Sequence, residues 1–225
     1  MEMISGDLGP YERLAQQYDW VYANTHELKS VAYRLRSPQL TQNIDAHDAY
    51  AHHILLRHVR SGKTLAASRI IARQDVPSGN RLPLEYAMSS TFSPLPGSPV
   101  PAAVASVSEM SKIHLDTELM RSLQEDEDLI ALALNLGAYA LARLLFHDYL
   151  LVSLPIRQFK QFRAQGLKYE YAGELQYFDE QEATFYLDLS RDIPIQSPLH
   201  AWQQVISEQF APYANMPILQ EREAQ

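Results

Sequence analysis

Two strand-like runs, residues 52–60 and 63–73, stand on either side of Ser61-Gly62, and this pair constrains the fold more tightly than any other stretch. Glycine supplies the backbone freedom a tight hairpin turn needs, so the runs are expected to lie antiparallel. Successive side chains on a strand point to opposite faces. Leu65, Ala67, Arg69, Ile71 and Arg73 therefore share one face, and Thr64, Ala66, Ser68, Ile70 and Ala72 the other. Arg69 travels with apolar neighbours, as a buried cation in need of a partner would.

The rest of the chain alternates between the two periodicities. Upstream, a polar helical stretch is expected over 11–22 and an extended one over 30–36, stopped by Pro38. Downstream come strands near 105–115, 149–154 and 184–189. Helices are expected over 156–165, closed by Gly166, and over 199–210. Residues 75–101 hold many of the prolines and serines, and are read as a long mobile loop able to cover a site. The tail, 220–225, is expected to fray. With 225 residues and no visible internal repeat, the chain reads as one domain of mixed α/β class.

Residues 129–146 are apolar apart from Asn135, Gly137, Tyr139 and Arg143. The run barely reaches the length a bilayer requires, and Arg143 would lie inside it. Glu125-Asp126-Glu127-Asp128 precedes it, with acids where a helix N-terminus is positive. A long buried helix is expected, with no integral membrane segment. A formal charge of -8 argues against nucleic acid as the main partner. Without cysteine there is no thiolate metal site and no cysteine nucleophile. Residues 1–10 lack the basic-then-apolar order of a signal peptide, so the cytoplasm is the expected compartment.

Three separated clusters of charge remain: Asp45 with Asp48, Ser68-Arg69, and Glu109 with Ser111 and Lys112. Each lies on or beside a strand, and together they are expected to meet in one pocket. Plainer roles stand beside that one. Aspartates flanking a turn often cap backbone groups, Arg69 and Glu109 can form a cross-sheet ion pair, and Ser111 can bond locally. No His–acid partnership beside Ser111 would make it a nucleophile. His52 and His58 would lie about 20 Å apart on one strand, with His53 on its other face, so no metal site is expected. His114 is read as a surface residue.

These clusters, in this order, resemble the carrier-dependent branch of the GNAT-fold acyltransferases: acyl-homoserine-lactone synthases, N-acyl amino acid synthases and exosortase-associated acyltransferases. The resemblance spans roughly 33–189. It rests on D-x-x-D at Asp45 and Asp48, S-R at Ser68-Arg69, Glu109-Met110-Ser111-Lys112 for E-x-S-R, and the aromatic, glycine-bearing stretch 166–173. Lys112 stands where arginine is usual, and Asn43 where a further acid is usual. The resemblance implies a three-layer α/β/α fold and amide formation from an acyl thioester.

Under that resemblance Glu109 is the base, with Ser111 beside it, and Asp45 and Asp48 orient an ammonium group. Arg69 and Lys112 hold a carboxylate or brace the acids, and Arg34 or Arg36 orders the N-terminal segment. No cofactor is permanently bound. The donor is an acyl-phosphopantetheine on acyl carrier protein or acyl-CoA. The carrier is favoured because no glycine lies between Ser111 and Leu129 to build a pyrophosphate cradle. An acidic carrier requires a basic face, expected from Arg143, Arg157, Lys160 and Arg163. The acceptor is a small amine or amino acid. S-adenosylmethionine as acceptor, or a non-catalytic module binding acylated carrier, are the alternatives. The aromatics Tyr169, Tyr171, Tyr177, Phe178, Phe185 and Tyr186 read as core and sheet face, or as the lining of an acyl tunnel.

Overall fold

A computed structural model describes residues 16–36, 44–77, 81–93, 105–175, 182–193, 197 and 199–213. Seven strands form one sheet: β1 (Tyr18–Ala23), β2 (His52–His58), β3 (Lys63–Ala72), β4 (Val107–Leu115), β5 (Tyr149–Pro155), β6 (Glu170–Glu174) and β7 (Glu182–Asp188). Their spatial order is β1-β2-β3-β4-β5-β7-β6. Neighbours are antiparallel except β4 and β5. That pair is joined through α3 (Thr117–Leu123) and α4 (Glu127–Leu144), the helical crossover that parallel strands require. The remaining helices are α1 (His26–Arg36), α2 (Pro83–Ala87), α5 (Ile156–Gln165) and α6 (His200–Phe210).

The strand pleat divides the core into two layers. On one face Trp20, Ile54, Ala66, Ile70, Met110 and Val152 pack against α4 and against Trp202, Ile206 and Phe210 of α6. On the other, Val21, Leu55 and Ala67 meet Ala32 of α1, while Ile71, Val107, Tyr149 and Leu151 meet Leu82, Leu84 and Met88 around α2. The result is the expected α/β/α sandwich. Helix α4 is buried over almost its whole length, which explains its uniformly apolar sequence. Among the described residues no helix is long and apolar enough to cross a membrane.

Gly137 allows close contact between these layers. A Cβ there would lie 2.6 Å from Cδ1 of Trp20, whose indole N–H donates to the Ala133 carbonyl at 2.7 Å. Gly137→Ala would displace the indole and is expected to lower the urea midpoint, costing about 1–3 kcal/mol. An unchanged midpoint would show that the indole shifts freely.

Several local expectations fail for physical reasons. Residues 30–36 are helical, not extended: Glu27 in the first turn of α1 and Arg34 and Arg36 in its last complement the helix dipole. Tyr18–Ala23 is a strand, because its aromatic and apolar side chains find β2 as a partner. The rest of the helix expected over 11–22 lies largely outside the described residues, as do Pro38, Asn43 and the tail 220–225. The loop read over 75–101 contains α2, where Pro83 occupies the first helical turn; residues 78–80 and 94–101 lie outside the description. Strand β6 hides inside the stretch read as aromatic and glycine-rich. On β3, a register shift against β2 at Leu56/Arg57 moves Leu65 into the core shared by Ala66 and Ile70. The hairpin, β4, β5, β7, α4, α5 and α6 fall close to expectation. Gly166 ends α5 at φ +117, a conformation that favours glycine.

Candidate active site

His53 on β2, Arg69 on β3 and Ser111 on β4 face one another in register, and Glu109 lies opposite Ile71 one pleat away. Opposed residues share a face, so all four project toward α1 and α2. This row is the polar centre of an otherwise apolar sheet face.

Arg69 is buried, and its partners are the two aspartates. One of its terminal nitrogens donates to Asp45 Oδ1 at 2.6 Å and to Asp48 Oδ1 at 3.0 Å; Nε donates to Ser111 Oγ at 3.2 Å. Arg36, from the end of α1, donates to Asp48 Oδ1 at 2.6 Å and to His53 Nδ1 at 3.0 Å. Burial and the Arg36 charge keep His53 neutral, as an imidazole nitrogen accepting from a guanidinium must be. Burial opposes ionisation of Asp48, yet Arg36, the Asp45 amide and Arg69 outweigh it, and its pKa lies below the ordinary value.

The aspartates also cap the short helical turn Ala46–Ala49. Asp45 Oδ1 accepts from the His47 amide at 2.9 Å, and Asp48 Oδ2 accepts from the Asp45 amide at 3.0 Å. Capping and ion pairing coexist. The two acids differ in access: the Asp48 side chain is 1% exposed and that of Asp45 37%.

Glu109 does not form the ion pair considered for it. It is wholly buried, and its Oε2 accepts from the Leu84 amide of α2 at 2.7 Å. Burial pushes its pKa up to about 7, against the downward pull of that amide, the nearby Ser111 hydroxyl and the Arg69 charge.

Beside this network the sheet parts. Strands β4 and β5 pair only as far as Met110 and Val152. Past that point β4 bulges: its partners on β3 jump from Arg69↔Ser111 to Ala67↔His114, with Lys112 at φ 51. A cleft of ≈ 480 Å³ opens between the strands, lined by Ser111, Lys112 and His114 from β4, Ser153 and Pro155 from β5, Asn135 from α4 and Leu84 from α2. Ser111 thus belongs both to the Arg69 network and to the cleft wall.

Not every expected residue joins this centre. Lys112 is exposed on the cleft, away from the acids, because the bulge turns it out of the row. Arg34 is exposed on α1 and joins none of the contacts above. Arg157, Lys160 and Arg163 form an exposed stripe on α5. Arg143 does not extend it. Arg157 pairs with Asp128 in the first turn of α4, whereas Arg143 lies in its last turn, about 22 Å along the helix, paired with Asp192. Tyr169 and Phe185 are core, Tyr171 is exposed, and Tyr177 and Phe178 lie outside the described residues. No metal-holding cluster occurs among the described residues.

Sequence reasoning missed Leu84, Asn135 and His114. Asn135 is the buried polar residue of α4, donating to the Ala131 carbonyl and accepting from Tyr169 at 2.7 Å. An Asn in so apolar a helix was a signal, since burying it costs energy without partners. His114 is half-buried in the cleft wall, not on the surface, and burial lowers its pKa so that the imidazole stays neutral.

A mixed sheet parted between its two parallel strands, with a helix crossing behind the gap, is a GNAT-like fold. Solved structures place it further. The fold is similar to that of FeeM, an N-acyl amino acid synthase from uncultured soil microbes, at 15% identity over 83% of this chain and 98% of that one, with TM-score 0.53. It is similar to the acyl-homoserine-lactone synthase LasI, at 14% identity over 76% and 90%, with TM-score 0.56. A third similar structure is MesI, described as a CoA-dependent acyl-homoserine lactone synthase, at 15% identity over 89% and 96%, with TM-score 0.51. No family model and no curated protein sequence matches the chain.

Proposed function

We propose that the protein is an N-acyltransferase that moves a fatty acyl group from acyl carrier protein to the amine of an amino acid or similar small molecule. The observation that carries this reading is the meeting, at Ser111, of a charged sheet face with the cleft between β4 and β5. The cleft receives the thioester on its phosphopantetheine arm, and Asp45, the accessible acid, orients the acceptor ammonium. Glu109 takes a proton from that group, directly or through a water. The amine then attacks the carbonyl: the C–N bond forms, the C–S bond breaks and the carrier thiol leaves with a proton. Peptide groups freed by the β4 bulge are suited to meet the developing oxyanion. No covalent nucleophile is required, and Ser111 orients Arg69.

Carrier rather than coenzyme A is favoured by the start of α4. Asp126 spends its carboxylate on the Asp128 and Leu129 amides, and Glu127 and Asp128 add negative charge where a pyrophosphate would need donors. Acyl-homoserine lactone formation from S-adenosylmethionine is the second reading, supported by the likeness to LasI and MesI.

Mass spectrometry of lipid extracts from overproducing cells tests both. A new N-acyl amino acid supports the first reading and a new acyl-homoserine lactone the second; neither, with purified acyl carrier and a panel of amines also giving no free thiol, overturns acyl transfer. For docking, Lys160→Glu with Arg163→Glu is expected to weaken carrier binding at least tenfold in a titration at low salt. Undiminished affinity would place the carrier elsewhere.

A further inference from the structure

Glu85 is buried as completely as Glu109, and the reaction above gives it no task. Its Oε1 accepts from the Phe92 amide at 2.8 Å and from the Arg73 guanidinium, and its Oε2 from the Leu82 amide at 3.0 Å. Both ends of the 82–92 segment are thus tied to one carboxylate, and Arg73 ties that carboxylate to the end of β3. Between those ties lies Leu84, whose amide reaches Glu109 Oε2. Glu109 Oε1 is buried and makes no hydrogen bond among the described residues. A carboxylate has two equivalent oxygens, so pinning one determines which is left to act.

We infer that Glu85 is a positioning residue for Glu109: it clamps the 82–92 segment so that the Leu84 amide pins Oε2 and leaves Oε1 to take the proton. The inference rests on Glu109 being the base. The Leu82 and Phe92 amides are buried and need acceptors, but neutral carbonyl oxygens would satisfy them at less cost than a buried carboxylate. Here two acids are buried side by side, an arrangement that costs desolvation twice and adds like-charge repulsion. The repulsion is felt at Glu109, where the Glu85 charge joins burial in raising its pKa.

The charged and polar groups facing Glu109 are few. Arg69 approaches from β3 but is engaged by Asp45 and Asp48, and Ser111 lies on the same strand. Glu85 comes from α2 with Arg73 behind it, and Leu151, opposite on β5, is apolar. The Glu85–Arg73 pair is therefore the lever that changes the field at Glu109 without touching it.

Two substitutions pull that lever in opposite directions. Glu85→Gln removes a negative charge and should lower the pH at which Glu109 titrates. Arg73→Gln removes the compensating positive charge and should raise it. Each shift is expected to be roughly one pH unit, the low end of what a single close charge produces. The carboxyl titration is followed in the free protein by infrared difference spectroscopy against Glu109→Gln, and the acid limb of kcat/KM is measured alongside. Opposite shifts in both readouts are the expected result. A Glu109 titration that stays put in both variants overturns the inference, since a merely structural role would lower stability without moving it. A titration that shifts while the acid limb stays put upholds the coupling of Glu85 to Glu109 and overturns Glu109 as the base. If Glu85→Gln fails to fold, Arg73→Gln alone decides between these outcomes.

Discussion

Glu109→Gln is expected to lower turnover by about 10²–10⁴-fold, the loss typical of a removed general base, and yet to raise stability above neutral pH. The second effect follows from the sign of the pKa shift. The carboxyl has an ordinary value of 4.5 and is pushed up to about 7 by burial, so between those values the folded chain holds a proton that the unfolded chain has released. Stability therefore falls as pH rises across that window, by roughly 3 kcal/mol in all. Glutamine keeps a carbonyl oxygen for the Leu84 amide and carries no charge to desolvate, so the variant escapes the loss. Thermal unfolding at pH 5 and pH 8 measures it: the wild type should lose stability between the two, and the variant should not. The rate gives a second check. An acid limb of kcat/KM near pH 7 fits Glu109, whereas a limb below 6.5 points to His114, whose pKa is depressed in the cleft wall. Full activity in Glu109→Gln would remove the proposed base altogether.

The gain in stability on losing a functional group is the mark of a site held against its own solvation preference. It also explains why the centre was partly legible in the sequence. Arg69 on an alternating strand, Glu109 and Ser111 two apart on another, and the Asp45–Asp48 spacing all depend on local periodicity, and local periodicity survives folding. Strands β2, β3 and β4 then place His53, Arg69 and Ser111 in one row, because pairing of these neighbours is sequential. Features that were not legible depend on contacts between distant segments. Nothing near Leu84 marks its amide as the partner of Glu109, since that bond joins residues 25 apart.

The same division accounts for the errors. On an extended segment, as expected over 30–36, the direction of Arg36 carries no information. At the end of a helix it points at Asp48 and His53. Charge alone groups Arg143 with the α5 cations. Distance along α4 separates them, and counter-ions hold both ends. His114 reads as a surface residue, and the bulge with Lys112 in a left-handed conformation sets it in the cleft wall instead. A bulge needs only one residue out of step, which no periodicity count detects.

Arg69→Met and Asp45→Asn should separate the two tasks of the charged network. Arg69 is the shared partner of both acids, and Asp48 is buried with it. Methionine fills similar space but leaves Asp48 with Arg36 alone and Asp45 with no arginine, and breaking a buried pair from one side costs about 3–5 kcal/mol. Acid sensitivity should change as well. Asp48 has a folded pKa below its ordinary 3.8, so its contribution is present above that value and is lost as pH falls through the folded one. Without Arg69 the folded pKa rises, and acid unfolding begins at higher pH. Asp45→Asn acts on the accessible end of the same network. Because its side chain is 37% exposed and Arg69 keeps Asp48, the loss of stability should stay below about 1 kcal/mol. Turnover should nonetheless fall by about tenfold or more, with a raised KM for the amine, because a neutral amide cannot orient an ammonium group as a carboxylate does. Denaturant unfolding and steady-state kinetics on both variants give the answer. If Asp45→Asn lost stability as severely as Arg69→Met and bound amine normally, the acids would be struts for the turn at Ala46–Ala49, and the acceptor would have to be held from the cleft side.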